Sequence, residues 1–122
     1  MTSNDSLGIA NEIINKFIPS LGTDRTACLG FFGDDSSLFF HGDQLENKDQ
    51  ISEFLEQLPS SVFLVEGYEV QSVPNTQLWT MMVVFGKAVI GDTGAKFFST
   101  IYVEAIPTEK IAKIVYMTMD FN

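Results

Sequence analysis

Cysteine is almost missing from this chain. Cys28 stands alone among 122 residues, so no internal disulfide can form. A lone thiol suits a reducing compartment. Its neighbours in sequence are mostly apolar and only Arg25 offers a nearby positive charge, so Cys28 reads as a small buried thiol and not a nucleophile. Histidine is as scarce, with His41 the single example. One histidine and one cysteine far apart in sequence make no recognisable metal-ligand set. Basic residues are few, 7 against 16 acidic, giving a net charge of −9. Such a surface repels phosphate backbones, which argues against direct nucleic-acid binding. The charge serves mainly solubility, and a partner is expected to be basic or apolar. No apolar run approaches the ~20 residues of a membrane span. The start, MTSNDSLG, has neither the basic residues nor the apolar run of a signal peptide. A soluble intracellular protein with no membrane partner is expected. No phosphate-binding glycine loop is present either. Gly86, Gly91 and Gly94 lie in or near one hairpin turn and are explained by it.

What is abundant is apolar residues, at 45%. That supplies a core for one domain over residues 1–122, with a frayed start at 1–6. Ile9, Ile13, Ile14, Phe17 and Ile18 recur at helical spacing and predict a helix over about residues 7–18, ended by Pro19 and Gly22. Thr23 or Asp24 caps a second short helix running through Phe32. Gly33, Asp34 and Asp35 form a turn, Ser37 to His41 a strand, and Gly42-Asp43 a tight turn. Asn47 caps a third helix whose apolar stripe is Ile51, Phe54, Leu55 and Leu58, and Pro59 stops it. The periodicity then changes. Residues 62–73, 77–90, 96–106 and 111–121 are rich in Val, Ile, Phe, Tyr and Thr. Short breaks at Pro74-Asn75, Gly91-Asp92-Thr93-Gly94 and Pro107-Thr108-Glu109 predict a hairpin-linked antiparallel meander. Helices first and strands last give an α+β layout, with three helices packed on one face of a bent sheet.

The strands are apolar at both parities. A sheet with one wet face should alternate polar and apolar residues, yet residues 81–85 read Met-Met-Val-Val-Phe. With Met82 and Val84 toward the helices, Met81, Val83 and Phe85 face away. Phe98, Tyr102 and Tyr116 likewise stand opposite Phe97, Ile101, Val115 and Met117. A second apolar face implies a cover, either within the monomer or from another subunit, and the strands are too few for a sandwich. The expected partner face is Tyr68, Val70, Met81, Val83, Phe85, Phe98, Tyr102, Tyr116, Thr118 and Asp120.

From about residue 9 to 122 the chain resembles nuclear transport factor 2-like domains. The resemblance rests on an ordered set of modest pieces. Thr23-Asp24-Arg25-Thr26, Phe31-Phe32 and Asp34-Asp35-Ser36-Ser37-Leu38 look like the family's second helix and first strand. Phe40-His41-Gly42 resembles its Trp-x-Gly element, Ile51 through Leu58-Pro59 its third helix, and Glu69-Val70-Gln71 an Asp-x-Gln element. Val83-Val84-Phe85-Gly86 resembles its Val-x-Gly strand end, and Phe97 to Ile101 its Phe-x-x-x-Phe strand. The resemblance implies a cone-shaped fold that dimerises through its open sheet face.

Leu58-Pro59-Ser60-Ser61 is similar to the Leu-Pro-Ser-Ser of the family's small mRNA-export subunit. That likeness implies a heterodimer with the similar domain of a larger mRNA-export receptor. It also implies contact with phenylalanine-glycine nucleoporins through the dimer, and shuttling between nucleus and cytoplasm at the nuclear pore. The alternative the family offers is a homodimeric import carrier for Ran-GDP. That carrier uses acidic residues at its cavity mouth, here Phe40, His41 and Asp92. His41 replaces the first acid and only Asp92 is acidic in its loop, which weakens complementarity to a basic surface. The family's Asn-Asp-x-Phe-Arg ending appears as Thr118-Met119-Asp120-Phe121-Asn122, where Met119 replaces the acid and Asn122 the Arg. Asp120 then offers a reversed charge to the partner. The paired Tyr residues of the family's first helix are replaced by Phe17 and Ile18.

A second alternative is a small-molecule isomerase or dehydratase, since the same fold hosts both. The acid–base candidates are His41, Asp34, Glu69 and Tyr116. No two fall in a catalytic motif, so no enzyme and no cofactor are expected. Glu69 and Gln71 are expected as polar residues hydrogen-bonded inside the cone.

Overall fold

In the computed structural model, residues 8–73, 79–106 and 111–122 are described. The turns expected at Pro74-Asn75 and Pro107-Thr108-Glu109 and the frayed start expected over residues 1–6 fall outside that set. The first helix, α1 (residues 8–23), does not stop at Pro19. Proline has no N–H and its ring crowds the carbonyl four residues back. The chain absorbs this by opening into a π-turn over Ile13–Phe17, where the Ile18 N–H reaches back to the Ile13 carbonyl. An α-helical stretch, Ile18–Thr23, then resumes with proline in its tolerated first turn. The result keeps Ile9, Ala10, Ile13, Phe17, Ile18 and Leu21 buried on one side.

Asp24 caps α2 (Arg25–Leu29), its carboxylate accepting from the Ala27 N–H at 3.1 Å. This helix ends at Gly30 and does not reach Phe32, which opens the first strand. The Arg25 guanidinium donates to the carbonyls of Glu56 (2.9 Å) and Leu58. It thereby satisfies the open end of α3 (Lys48–Gln57). Asn47 caps α3 through the Gln50 N–H at 3.0 Å, as the sequence suggests.

Six strands form one sheet: β1 (Phe32–Phe40), β2 (Asp43–Leu45), β3 (Ser61–Ser72), β4 (Trp79–Ile90), β5 (Thr93–Ile106) and β6 (Ile111–Phe121). Their order across the sheet is β2-β1-β6-β5-β4-β3. All pairs are antiparallel except β1 with β6, which is parallel. The Gly33-Asp34-Asp35 turn is instead a register irregularity inside β1. Ser36 bridges it, accepting from the Gly33 N–H at 2.7 Å and donating to the Ile114 carbonyl at 2.5 Å. The helices cover one face, here called inner. Phe97, Met82, Val84, Ile101, Met117 and Met119 on that face are all fully buried. Among the described residues no buried side-chain polar atom lacks a partner.

Candidate functional site: the outer sheet face

Directly opposed residues on neighbouring strands share a face, so the register fixes which side chains stand together. One outer row runs Gln71, Met81, Tyr102, Tyr116, Ser37. The next runs Glu69, Val83, Thr100, Thr118, Phe39. A third runs Gly67, Phe85, Phe98, Asp120, and a fourth pairs Leu64, Lys87 and Lys96. Val62 and Val89 close the face near the β4–β5 turn. Phe85 and Phe98 are opposite one another and stand 39% and 49% exposed, which is much for phenylalanine. Tyr102 and Tyr116 are also opposed, with ring centroids 6.3 Å apart. The Phe85 ring lies over Gly67, where an added Cβ would stand 2.4 Å from it. Only glycine lets that ring lie down on the strand.

Eight of the ten expected face residues come together here: Met81, Val83, Phe85, Phe98, Tyr102, Tyr116, Thr118 and Asp120. Tyr68 and Val70 do not. They pair with Val84 and Met82, which puts them on the inner side, and Val70 packs against the core. The cause is a bulge at Glu66. Val65 opposes Gly86 but Gly67 opposes Phe85, so one extra residue reverses the side of everything after it. The same bulge moves Glu69 and Gln71 out of the cone and onto the outer face, where both are exposed. A second bulge in β6 leaves Val115 as the extra residue, half-buried, while Ile114 takes the buried inner place.

Sequence reasoning missed Val62, Leu64 and Val89, which are 66%, 60% and 48% exposed on the outer face. Their signal was a plain alternation with Ser61 and Phe63. It ends at the bulge and so does not extend to Tyr68.

Two of the expected cavity-mouth residues, Phe40 and His41, meet at Phe121, and the third lies in another turn. Phe40 is buried, its ring 4.7 Å from Phe54 and 5.4 Å from Phe121. His41 is exposed in the β1–β2 turn at φ 44°, its N–H donating to the Met119 carbonyl at 2.8 Å. Its ring meets the Phe121 ring edge-on at 5.5 Å. Asp92 is exposed in the β4–β5 turn. The acid–base candidates do not converge either. Asp34 is at the start of β1, and Glu69 and Tyr116 are on outer rows of β3 and β6. Three strand spacings separate those two strands, roughly 14 Å. Cys28 is fully buried, and burial pushes its thiol up to about 12 against the lowering effect of a Ser20 hydrogen bond. Among the described residues no three potential metal ligands converge, and no helix is long and apolar enough to cross a membrane.

No protein-family model and no curated protein matches the sequence. Solved structures do match in shape. Nuclear transport factor 2 (Ntf2) from Cryptosporidium parvum superposes with a TM-score of 0.84 at 18% identity, covering 97% of this chain and 95% of that one. An NTF2-like protein of unknown function from Pseudomonas putida gives 0.80 at 12% identity, over 98% and 88%. The Candida albicans Mtr2–Mex67 M domain complex gives 0.76 at 12% identity, over 97% and 96%. These likenesses define the class: the chain has the nuclear transport factor 2-like fold, an α+β cone with its helices on one side of a bent, mostly antiparallel sheet.

Proposed function

We propose that this chain is a non-enzymatic protein-binding subunit that pairs through its outer sheet face with a similar domain of a larger mRNA-export receptor. The observation that carries the reading is the opposed Phe85–Phe98 pair, exposed at the centre of a face that also holds Met81, Val83, Tyr102 and Tyr116. Exposed apolar patches of this kind mark protein interfaces. A structural neighbour, Mtr2, is recorded in complex with the Mex67 M domain, which supports a heterodimer as the form of that pairing. In this reading the pair contacts phenylalanine-glycine nucleoporins and shuttles between nucleus and cytoplasm. The scattering of His41, Asp34, Glu69 and Tyr116 supports a role without catalysis.

The test is affinity purification of the tagged chain with mass spectrometry, run beside Phe85→Glu and Val83→Glu. The expected result is a larger partner carrying a domain of this same fold, lost from both variants while each still unfolds cooperatively. Recovery of that partner by Phe85→Glu at wild-type level would sink the assignment of the face. A homodimer that retains Ran-GDP would point to import carriage instead.

A further inference from the structure

The sheet has two edges, the short β2 and the longer β3, and among the described residues β3 pairs only with β4. Two bonds fix how its backbone is turned. The Gly91 N–H donates to the Ser60 carbonyl at 3.0 Å, and the Val73 N–H to the Trp79 carbonyl at 3.2 Å. Bonded pairs alternate along an antiparallel ladder. Residues 62, 64, 67, 69 and 71 therefore turn their backbone groups toward β4. Phe63, Val65, Tyr68 and Val70 turn theirs toward the open side, where no strand pairs with them among the described residues. Helix α1 closes the start of this edge, its Gly22 lying on the Ser61 backbone. Tyr68 and Val70 stand beyond it, and Tyr68 is 43% exposed although the register puts it on the helix side.

An edge strand left open beyond its first residues is a ready template for another chain. Charge decides which one. Glu66 and Glu69 are exposed along this strand, and Glu66 holds only a loose ion pair with Lys87 at 3.8 Å. Two copies meeting edge to edge would bring these glutamates together on chains already at −9. A strand carrying lysine or arginine meets them favourably.

We propose that the β3 edge from Gly67 to Gln71 accepts an extended basic segment of a partner protein as a seventh strand. Alternate side chains of that strand would lie against Tyr68 and Val70 on one side and Glu69 on the other. The recognised pattern is thus apolar–basic alternation over about five residues, roughly 17 Å. This site adjoins the outer face at Gly67, Glu69 and Gln71, but uses the strand's open backbone edge and stands without the outer-face pairing.

The probe is a ten-residue peptide of alternating valine and lysine, capped at both ends, titrated into the full chain and followed by amide hydrogen exchange. Exchange should slow at Tyr68 and Val70. The same peptide N-methylated at alternate residues keeps its charge but cannot pair, and should bind at least about tenfold more weakly. Glu69→Lys should weaken the parent peptide about three- to tenfold. Tyr68→Pro removes an outward N–H and no ladder bond to β4, so it should fold and lose binding. Should that variant fail to fold, the N-methylated peptide decides. Equal binding of the N-methylated peptide, or protection confined to other strands, overturns the proposal. So does self-association through β3 without peptide. Tyr116→Ala, on β6 and three strand spacings from β3, should leave this binding intact, which keeps the two surfaces distinguishable.

Discussion

Cys28 shows how burial fixes the behaviour of a single side chain. Its thiol titrates near 9.0 when unfolded and is pushed up to about 12 in the fold, chiefly by loss of water. Below pH 9 both states keep the proton and the group is neutral to stability. Between 9 and 12 the unfolded chain releases it and the folded chain does not, so stability falls as pH rises, by about 1.4 kcal/mol per unit. Urea midpoints measured from about pH 8 upward should therefore fall more steeply for the wild type than for Cys28→Ala. Parallel curves would contradict it. The same burial predicts that the folded protein resists thiol alkylation at neutral pH.

Gly22 is held by contact and not by conformation. A Cβ there would lie 2.0 Å from the Ser61 carbonyl oxygen, a backbone atom that cannot swing aside. Gly22→Ala should cost about 1–3 kcal/mol, read as a lowered urea midpoint. Gly8→Ala is the control, because a Cβ there meets nothing within 4 Å.

Among the elements, the helices were the more legible. Asn47, Ile51 and Leu55 declare α3 by spacing and cap chemistry alone, and Asn47→Ala should cost about 1 kcal/mol in thermal or urea unfolding. Pro19 misleads in α1 because a π-turn accommodates it, and nothing local in the sequence announces that turn. The strands were legible as strands, and as faces except where a bulge intervenes. Period-two reading assigns Tyr68 and Val70 to the outer side with Met81 and Val83, since the extra residue at the bulge leaves no mark in the sequence. Glu66 matters through its presence in the backbone more than through its carboxylate. Glu66→Ala should therefore change stability by no more than about 0.5 kcal/mol. Deleting Glu66 should leave Val65 opposite Gly86 and Gly67 opposite Phe85 as an ordinary ladder, so the variant should still fold with Glu69 and Gln71 outside. Loss of cooperative unfolding in the deletion variant would show that the fold needs the bulge itself.

At the scale of the whole molecule, the α+β class and the order of elements were readable because hydrophobic periodicity switches once, after Pro59. The second apolar face was readable from residues 81–85, and eight of its ten expected members do lie together. What could not be read was β2, three residues long, and the parallel pairing of β1 with β6. β6 lies about 80 residues from β1 and leaves no local sign of the pairing, while β2 is too short to show a period. The likeness to proteins at 12–18% identity makes the same point from another side. Pattern, spacing and a few capping residues specify this cone while most identities vary.

That parallel pairing also sets a schedule. Leu38 pairs with Met117 and Phe40 with Met119, about 80 residues later in the chain. A ribosome adding 5–20 residues each second needs roughly 4–16 s to make the second partner after the first. Throughout that interval β1 has no central neighbour, and the apolar side of α1 has only part of its sheet to lie on. Nascent chains stalled before Ile114 should be cleaved readily by protease, and chains extended past Phe121 should resist. Synthesis, and not collapse, would then pace the first folding of this protein, and its early life would depend on whatever shields Phe32, Leu38 and Phe40 while the last strand is still being made.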